Sequence, residues 1–295
     1  MTKIRWITIL AITISFGATG ILAQRGFRGR NSSRGSRQRY PQQRYNSRPR
    51  AFEPEWEIDR EFSHDLFTFV RIQYYEGYGR GRGRREISGG RWLTDYPDSE
   101  LTFSFRLHQL TSMQVNPIPI YMELTNPELF NYPFIYIVEP GNLVFLEEEV
   151  KNLRRYLLNG GFLMIDDFWG RAEWYNIYGQ MKRVFPEREP IELTLDHPIF
   201  HCVFELKEKP QIPAIDWAVD RRTDTLTGYT SESGDPPRYY GIYDDKGRMM
   251  VIICRDTDLG DGWEREGMSK TYFHEFSEKK AYPLGINIVF YAMTH

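Results

Sequence analysis

Residues 142–168, which read NLVFLEEEVKNLRRYLLNGGFLMIDDF, decide the fold that we expect for this chain. Their first half predicts an amphipathic helix, because apolar residues recur there at helical spacing, at Leu146, Val150, Leu153 and Leu157. Three glutamates come first and basic residues later, which suits the helix dipole at each end. The Asn-Gly-Gly at 159–161 predicts the stop, because glycine enters the left-handed conformation without a steric clash.

The second half of this stretch predicts a buried strand and a ligand position. Residues 162–165 are apolar on both faces and too few for a helix, which is typical of a central parallel strand. Asp166 and Asp167 follow at the carboxyl end of that strand, where open α/β sheets place their ligands. The stretch therefore indicates where a site lies, but not what that site does.

The flanking segments repeat the alternation of strand and helix. Strands are predicted at residues 66–72, 132–138 and 249–254, and helices at 170–184 and 276–295, the last begun or kinked by Pro283. A further helix is predicted with Asp98 or Ser99 as its cap and with inward positions at Leu101, Phe105, Leu107 and Leu110. This order predicts an α/β fold in which helices cover both faces of a parallel sheet.

Charge divides the chain into a basic arm and an acidic domain. Residues 24–50 hold nine arginines and no acidic residue, whereas residues 51–295 hold 27 basic and 40 acidic residues, a net charge of −13. The arm has no apolar periodicity and cannot bury enough surface to offset its ordering entropy, so we predict that it is disordered. Residues 51–295 are long enough to form a single folded domain.

The first 23 residues predict a secretory signal. Lys3 and Arg5 precede an apolar run, and small residues follow it at Gly17, Ala18, Gly20 and Ala23. We therefore expect export to the periplasm or the cell exterior. The alternative is an uncleaved anchor in the inner membrane at residues 6–23, a length only just sufficient to span. The arginines beyond this run favour the cytoplasmic side and count against easy export.

Export also restricts the partners that we expect. Arginines interleaved with Tyr40 and Tyr45 could bind nucleic acid or another polyanion, but an exported protein meets little nucleic acid. The arm is therefore expected to act as a solvated linker or to contact the envelope surface. Other envelope proteins are the expected partners, and membrane contact is expected through the N-terminal segment.

The chain has two cysteines, Cys202 and Cys254. They allow one disulfide in an oxidising compartment, but two buried free thiols fit the sequence at least as well. Their spacing does not match the paired cysteines of a zinc site.

Seven segments of the chain stand in a distinctive order and spacing: residues 67–72, 92–97, 132–139, 157–167, 196–198, 256–263 and 284–291. Together they resemble a bacterial family, the domain-of-unknown-function family 4159. The resemblance covers nearly all of the folded part, from about residue 65 to 294. It implies a flavodoxin-like α/β layer similar to the fold of class I glutamine amidotransferases. It implies no activity, because none is established for the family.

Amidotransferase chemistry is not expected in this chain. It needs a cysteine nucleophile on a sharp strand-to-helix turn, paired with a histidine. The equivalent turn here, residues 165–169, carries two aspartates and no cysteine, and the chain has no Gly-x-Ser-x-Gly motif. A fold alone does not confer an activity.

Acidic residues at predicted strand ends are the better candidates for a site. The candidate residues are Asp95, Asp166, Asp167, Asp256 and Asp258, with His197 and Arg255 expected nearby. Converging carboxylates could bind a hard cation such as Mg²⁺ or Ca²⁺, or act as a general acid and base. The alternative is structural, because aspartate after a strand commonly caps the next helix. The pattern identifies no cofactor, although it admits a divalent metal.

Two functional hypotheses follow from these observations. The first is a non-catalytic binding or assembly module in the bacterial envelope, with a ligand site at the strand ends. The second is a hydrolase that uses the same carboxylates, with or without a metal. If Asp95, Asp166 and Asp256 do not share one cleft, the hydrolase hypothesis loses its basis.

Overall fold

The structure is a computed structural model that describes residues 56–58, 65–77, 90–264 and 266–295. A seven-stranded sheet lies at the centre of this described part. The predicted signal or anchor at residues 1–23 and the predicted disordered arm at residues 24–50 lie outside the described residues, so both stay predictions. Within the described part, no helix is long and apolar enough to cross a membrane.

The strands are short, and most of them end in a loop that carries polar residues. In chain order they are β1 (Val70–Gln73), β2 (Tyr75–Glu76), β3 (Ile120–Glu123), β4 (Phe134–Val138), β5 (Leu143–Val144), β6 (Phe162–Asp166), β7 (Ile191–Glu192), β8 (Val219–Asp220), β9 (Thr225–Leu226), β10 (Arg238–Tyr243) and β11 (Met249–Arg255).

The helices occupy the connections between these strands. They are α1 (Asp98–Leu110), α2 (Glu147–Leu158), α3 (Gly170–Val184), α4 (Ile215–Ala218), α5 (Leu259–Glu264), α6 (Lys270–Tyr272) and α7 (Tyr282–Thr294). A π-helix, Phe273–Ala281, joins α6 to α7, and short 3₁₀ helices lie at Arg91–Leu93, Pro127–Asn131, Pro140–Asn142 and Pro198–Phe200.

The main sheet has the strand order β3-β1-β4-β6-β11-β10-β7. The first five strands in this order are parallel, as predicted. The sheet is mixed at the other edge, where β10 runs antiparallel to both β11 and β7. Residues 244–248 join β10 to β11, and so short a connection can link only antiparallel neighbours.

Helices pack on both faces of this sheet and enclose two hydrophobic cores. Successive residues of β6 alternate between them: Phe162 and Met164 face one core, and Leu163 and Ile165 face the other. The first core includes residues of α1, α5 and α7, and the second includes residues of α2 and α3. The sheet is therefore covered on both faces by helices.

The inward face of α1 differs from the prediction. Phe103 and Leu107 are buried, whereas Leu110 is 51% exposed. The cause is a buried ion pair between Arg71 of β1 and Glu100 of α1, which turns the helix so that Glu100 faces the sheet. The predicted caps are also wrong, because Pro97 occupies the N-cap and no side chain caps the helix.

Residues 142–168 form the helix, stop and strand that their sequence predicts. The Leu146 amide donates to Oε2 of Glu149 at 2.7 Å, so a glutamate of the first turn caps α2. Gly160 has φ of +107° in the predicted stop. The guanidinium of Arg248 then donates to the carbonyls of Leu157 and Gly161, at 2.6 and 3.2 Å. These bonds tie the end of α2 and the start of β6 to the turn between β10 and β11.

Replacing Arg248 with alanine is expected to lower the free energy of unfolding by about 2 kcal/mol, because hydrogen bonds from a charged donor to buried carbonyls are lost. Urea denaturation of the full chain measures this difference. Lys246→Ala, an exposed residue of the same turn, is the control and should change stability by less than about 0.5 kcal/mol. Equal effects of the two substitutions would contradict a capping role for Arg248.

The last helical segment of the chain is a π-helix that continues into the α-helix α7. Pro283 lies in the first turn of α7, directly after another helical segment. In a continuous α-helix, a proline lacks the N–H that would donate and its ring clashes with the carbonyl four residues earlier. The preceding segment is a π-helix in which the Tyr282 amide donates to Ser277, five residues back. The wider turns move the carbonyls away from the proline ring, so the helix continues through Pro283 without a break.

Candidate functional site

Acidic residues occupy unusual backbone conformations where the parallel strands end. Glu139 follows β4, Asp167 follows β6 and Asp256 follows β11, with φ of 44°, 56° and 58°. Asp95 has φ of 63°, but it follows a 3₁₀ helix and not the predicted strand. Few residues other than glycine adopt this left-handed region, and aspartate is among those that tolerate it best. The backbone therefore directs several carboxylates to one edge of the sheet.

Asp166 is fully buried at the end of β6. Its Oδ2 accepts hydrogen bonds from the Tyr136 hydroxyl at 3.1 Å and from the amides of Leu259 and Gly260 at 2.9 and 3.3 Å. Its Oδ1 is buried and accepts no hydrogen bond of normal geometry from the described residues. Burial raises the pKa of Asp166 to about 7, although the Leu259 amide and the Tyr136 hydroxyl oppose that rise. Asp166 thus anchors the first turn of α5.

Asp258, just before α5, and Asp261, within it, also hold this helix in place. Oδ1 of Asp258 accepts the Asp261 amide at 2.8 Å, which is the capping role foreseen as the structural alternative. Oδ2 of Asp261 accepts the amide of Ile215, at the start of α4, at 2.7 Å. Burial raises the pKa of Asp258 well above its usual range, and Asp167 and Asp261 add to that rise.

Asp95 also lies against the first turn of α5. A Cβ atom added at Gly260 would lie 3.4 Å from Oδ2 of Asp95, 3.4 Å from Oδ1 of Asp258 and 3.3 Å from the Tyr136 hydroxyl. The first turn of α5 therefore packs closely against these oxygens at residue 260. Asp95, Asp261 and Glu264 each present one carboxylate oxygen within 4.8 Å of the other two.

Asp261 and Glu264 were not among the site residues predicted from the sequence. Their i, i+3 spacing was the available signal, because it places both side chains on one face of a helix. No helix was predicted between the strand at residues 249–254 and the helix at residues 276–295. The helix that carries these two residues is only six residues long and contains two glycines, so it has no recognisable periodicity.

Asp167 and Glu139 extend the acidic surface toward a rim that contains an arginine. The indole N–H of Trp169 donates to Oδ1 of Asp167 at 3.1 Å. Burial raises the pKa of Asp167 well above its usual range, and Glu139, Asp166 and Asp95 raise it further. A guanidinium nitrogen of Arg91 lies 3.4 Å from Glu139 and 3.6 Å from Glu173. Arg91 therefore compensates the charges of Glu139 and Glu173 at the rim and not those of the buried aspartates.

Asp256 has a different role from the other candidates. Its Oδ1 accepts the Gly170 amide at 2.8 Å and the Ser233 hydroxyl at 2.6 Å. Its Oδ2 lies 2.8 Å from Nε of Arg255, whose guanidinium also stacks over Trp174 at 5.6 Å. Arg255 thus neutralises Asp256, and the pair fixes the start of α3 and the loop that carries Ser233.

The ring of His197 lies beside Tyr243 and beside Tyr291 of α7. Its Nε2 is 3.2 Å from the hydroxyl of Tyr243, the last residue of β10. Tyr243 pairs with Met249 at the start of β11, whereas Asp256 follows the end of that strand. Burial lowers the pKa of His197. The structure therefore does not bring this predicted residue to the site.

Neither cysteine has the properties of an activated nucleophile. Both thiols are free, so no disulfide joins them. Cys254 is fully buried in β11, and burial raises its pKa well above the usual range. Cys202 is half-buried and donates to the Asn287 carbonyl at 3.3 Å, and burial also raises its pKa. Reactive cysteines have lowered pKa values, so both thiols are expected to be inert.

Comparison with known proteins identifies the family of this chain. A family model described as a domain of unknown function, DUF4159, matches residues 68–293. The chain belongs to this family. No curated protein matches the chain. The DUF4159 match spans every strand and all of the carboxylates described above, and it confirms the family that the sequence pattern indicated.

Proposed function

We propose that this DUF4159 domain is a non-catalytic binding module, and that the carboxylates where the parallel strands end bind a positively charged ligand. The observation that carries the proposal is Oδ1 of Asp166, which is buried without a hydrogen bond of normal geometry from the described residues. A buried oxygen of this kind costs about 1–3 kcal/mol. Such atoms in native proteins commonly mark an ion or water.

Electrostatics supports a cation over other ligands. The pKa values of Asp167 and Asp258 are raised by burial first and by neighbouring carboxylates second. An opposite charge within about 4–6 Å favours the ionised form of such groups, whereas a neutral or anionic ligand does not. A bound cation would therefore relieve repulsion that the folded chain otherwise carries.

The strand order supports an amidotransferase-like layout for this module. Numbered among themselves, the five parallel strands β1, β3, β4, β6 and β11 lie in the order 2-1-3-4-5, which is the flavodoxin-like order. Ligands of such sheets bind beyond the carboxyl ends, next to the point where the order reverses. That point lies between β1 and β4, and Glu139 follows β4 there.

A binding role accounts for the groups at the turn after β6 better than nucleophilic catalysis does. Residues 165–169 contain no serine or cysteine, and Cys254 is buried with a raised pKa. One observation favours the alternative, a carboxylate-dependent hydrolase. The Asp166 carboxyl, with a pKa of about 7, could exchange a proton near neutral pH.

We also propose that the module works outside the cytoplasm, in the bacterial envelope. This proposal rests on the sequence of residues 1–23, which has the charge, apolar run and small residues of an export signal. The arginine-rich residues 24–50 would then link the acidic domain to the membrane surface or to another envelope protein.

Thermal unfolding of the full chain tests the binding proposal. The panel contains Mg²⁺, Ca²⁺, spermidine, arginine and, as an anion, phosphate. A cation at 100 times its dissociation constant should stabilise the wild type by about 2.7 kcal/mol. Asp166→Asn/Asp167→Asn should lose this stabilisation.

The matched control is Asp220→Asn/Asp245→Asn, which removes the same charge from exposed positions. It should respond to cations as the wild type does. The proposal fails if no cation stabilises the wild type, or if the control and the site variant lose the same amount. Hydrolysis of ester or glycoside probes by the wild type, abolished in Asp166→Asn, would favour the hydrolase.

A further inference from the structure

We infer that the cation is a hard divalent metal ion, bound by Asp95, Asp261 and Glu264. The inference rests on the proposed function, because it names the cation and its position. It differs from the sequence-based prediction in its residues, since Asp261 and Glu264 were not among the predicted candidates.

The three carboxylates meet because two separate segments hold them. Asp261 and Glu264 lie three residues apart on α5, so they share a face of that helix. Asp95 comes from the loop before α1, and its left-handed backbone turns it back toward α5. One oxygen from each residue lies within 4.8 Å of the other two. Oxygens that bind one ion at 2.0–2.6 Å are separated by at most about twice that distance, so this spacing fits a shared ion.

Buried contacts fix both segments before any ligand binds. Asp166 and Asp258 accept the amides of the first turn of α5, and the Ile215 amide holds Oδ2 of Asp261. On the other side, Arg71 donates to the carbonyls of Trp92 and Thr94, directly before Asp95. Such outer contacts orient ligand carboxylates and so reduce the ordering cost of binding.

A second observation, independent of the three carboxylates, points to an ion. Asp166 is fully buried against the same turn of α5, and its Oδ1 accepts no hydrogen bond of normal geometry from the described residues. Its Oδ2 accepts the Gly260 amide at 3.3 Å, and a Cβ atom added at Gly260 would lie 3.4 Å from Oδ2 of Asp95. The orphaned oxygen therefore belongs to the same acidic region, and a metal-bound water is a donor of the kind it lacks.

The donor set selects the class of metal. All three donors are carboxylate oxygens, which suit Mg²⁺, Ca²⁺ and Mn²⁺. Zinc sites are typically built from histidine nitrogen and cysteine sulfur, and those donors are not part of this group. Three protein ligands leave room for waters in the shell of a six-coordinate ion, which is how Mg²⁺ is usually held.

Isothermal titration of the chelator-treated full chain with MgCl₂ and CaCl₂ tests the inference. We expect one site per chain in the wild type. Asp261→Asn and Glu264→Gln should each weaken the affinity by more than ~10-fold, because loss of even an outer contact costs that much. Both substitutions keep side-chain volume, so the metal-free variants should unfold close to the wild type. Asp95→Asn provides a ligand variant on the other segment if an α5 variant does not fold.

Glu128→Gln and Asp220→Asn are the controls, because both remove one negative charge from exposed positions. They should bind metal within about twofold of the wild type. Binding that survives Asp261→Asn/Glu264→Gln overturns the assignment of the ligands. Stabilisation by spermidine or arginine without metal binding overturns the metal inference and leaves the cation-binding proposal intact. No response to any cation overturns both.

Discussion

Arg71→Met is expected to lower the free energy of unfolding by about 3–5 kcal/mol, because it leaves Glu100 as an unpaired buried charge. Arg71 and Glu100 are both fully buried. Arg71 also donates to the Trp92 carbonyl and the Ser99 hydroxyl, both at 3.1 Å, and these partners lose their donor. Burial alone would lower the pKa of Arg71, but Glu100 raises it above the usual value, so the cation persists at all accessible pH. Urea denaturation measures the loss.

A second ion pair of α1 provides the control. Arg106 makes two hydrogen bonds to Glu266, and both side chains are 26% exposed. Partly exposed pairs contribute about 1 kcal/mol or less, so Arg106→Met should be much milder than Arg71→Met. Arg71→Met/Glu100→Gln should recover part of the stability, because the unpaired charge is gone. Similar costs for Arg71→Met and Arg106→Met would show that the buried pair is not what holds α1 to β1.

The stability of the metal-free chain is expected to fall as pH rises from 5 to 8. The pKa of Asp166 is raised from 3.8 to about 7, chiefly by burial. The pKa of this carboxyl group is higher in the folded chain than in the unfolded chain, so its protonated form stabilises the fold. That stabilisation is complete below the unfolded pKa of 3.8 and is lost as the pH rises through the folded pKa of about 7. A shift of this size corresponds to something on the order of 4 kcal/mol. Glu149 adds a change of the same sign, because burial raises its pKa to about 7.

Urea denaturation at several pH values, with a chelator present, checks this dependence. Asp166→Asn should flatten the curve, because the asparagine does not titrate. Tyr136, Cys254 and Tyr239 interact electrostatically with Asp166, and the pKa of each is raised well above its usual range, so these groups stay protonated across this interval. Asp258 also interacts with Asp166, and its raised pKa gives a change of the same sign. Exposed Asp220→Asn should keep the wild-type slope. A wild-type chain that becomes more stable between pH 5 and 8 would contradict a buried, protonated Asp166.

The sequence predicted those parts of the fold that depend on local patterns. The bounds of α3 agree with the predicted helix at 170–184, and α2, its stop and β6 agree within a residue or two. These segments combine strong periodicity with glycine or dipole signals, so neighbouring residues suffice to specify them. The two buried faces of β6 likewise indicated a covered parallel sheet.

Tertiary interactions decided the features that the sequence did not predict. The orientation of α1 depends on Arg71, which lies 29 residues before Glu100 and which no helical pattern reveals. Asp261 and Glu264 lie on a helix too short to show a period. His197 was grouped with the acidic residues by its chemistry, whereas its ring packs beside Tyr243 and Tyr291.

The left-handed backbone of Asp95, Glu139 and Asp167 has a consequence for the evolution of the family. Glycine adopts that conformation without steric cost, and asparagine tolerates it, so folding alone gives little reason to retain an acid at these positions. A lineage that no longer needs the ligand would be free to drift to glycine or asparagine at all three positions together. A lineage that still needs it would retain the carboxylates despite the strain. Joint loss or retention of the three acids would therefore separate binding from non-binding members without any measurement of affinity.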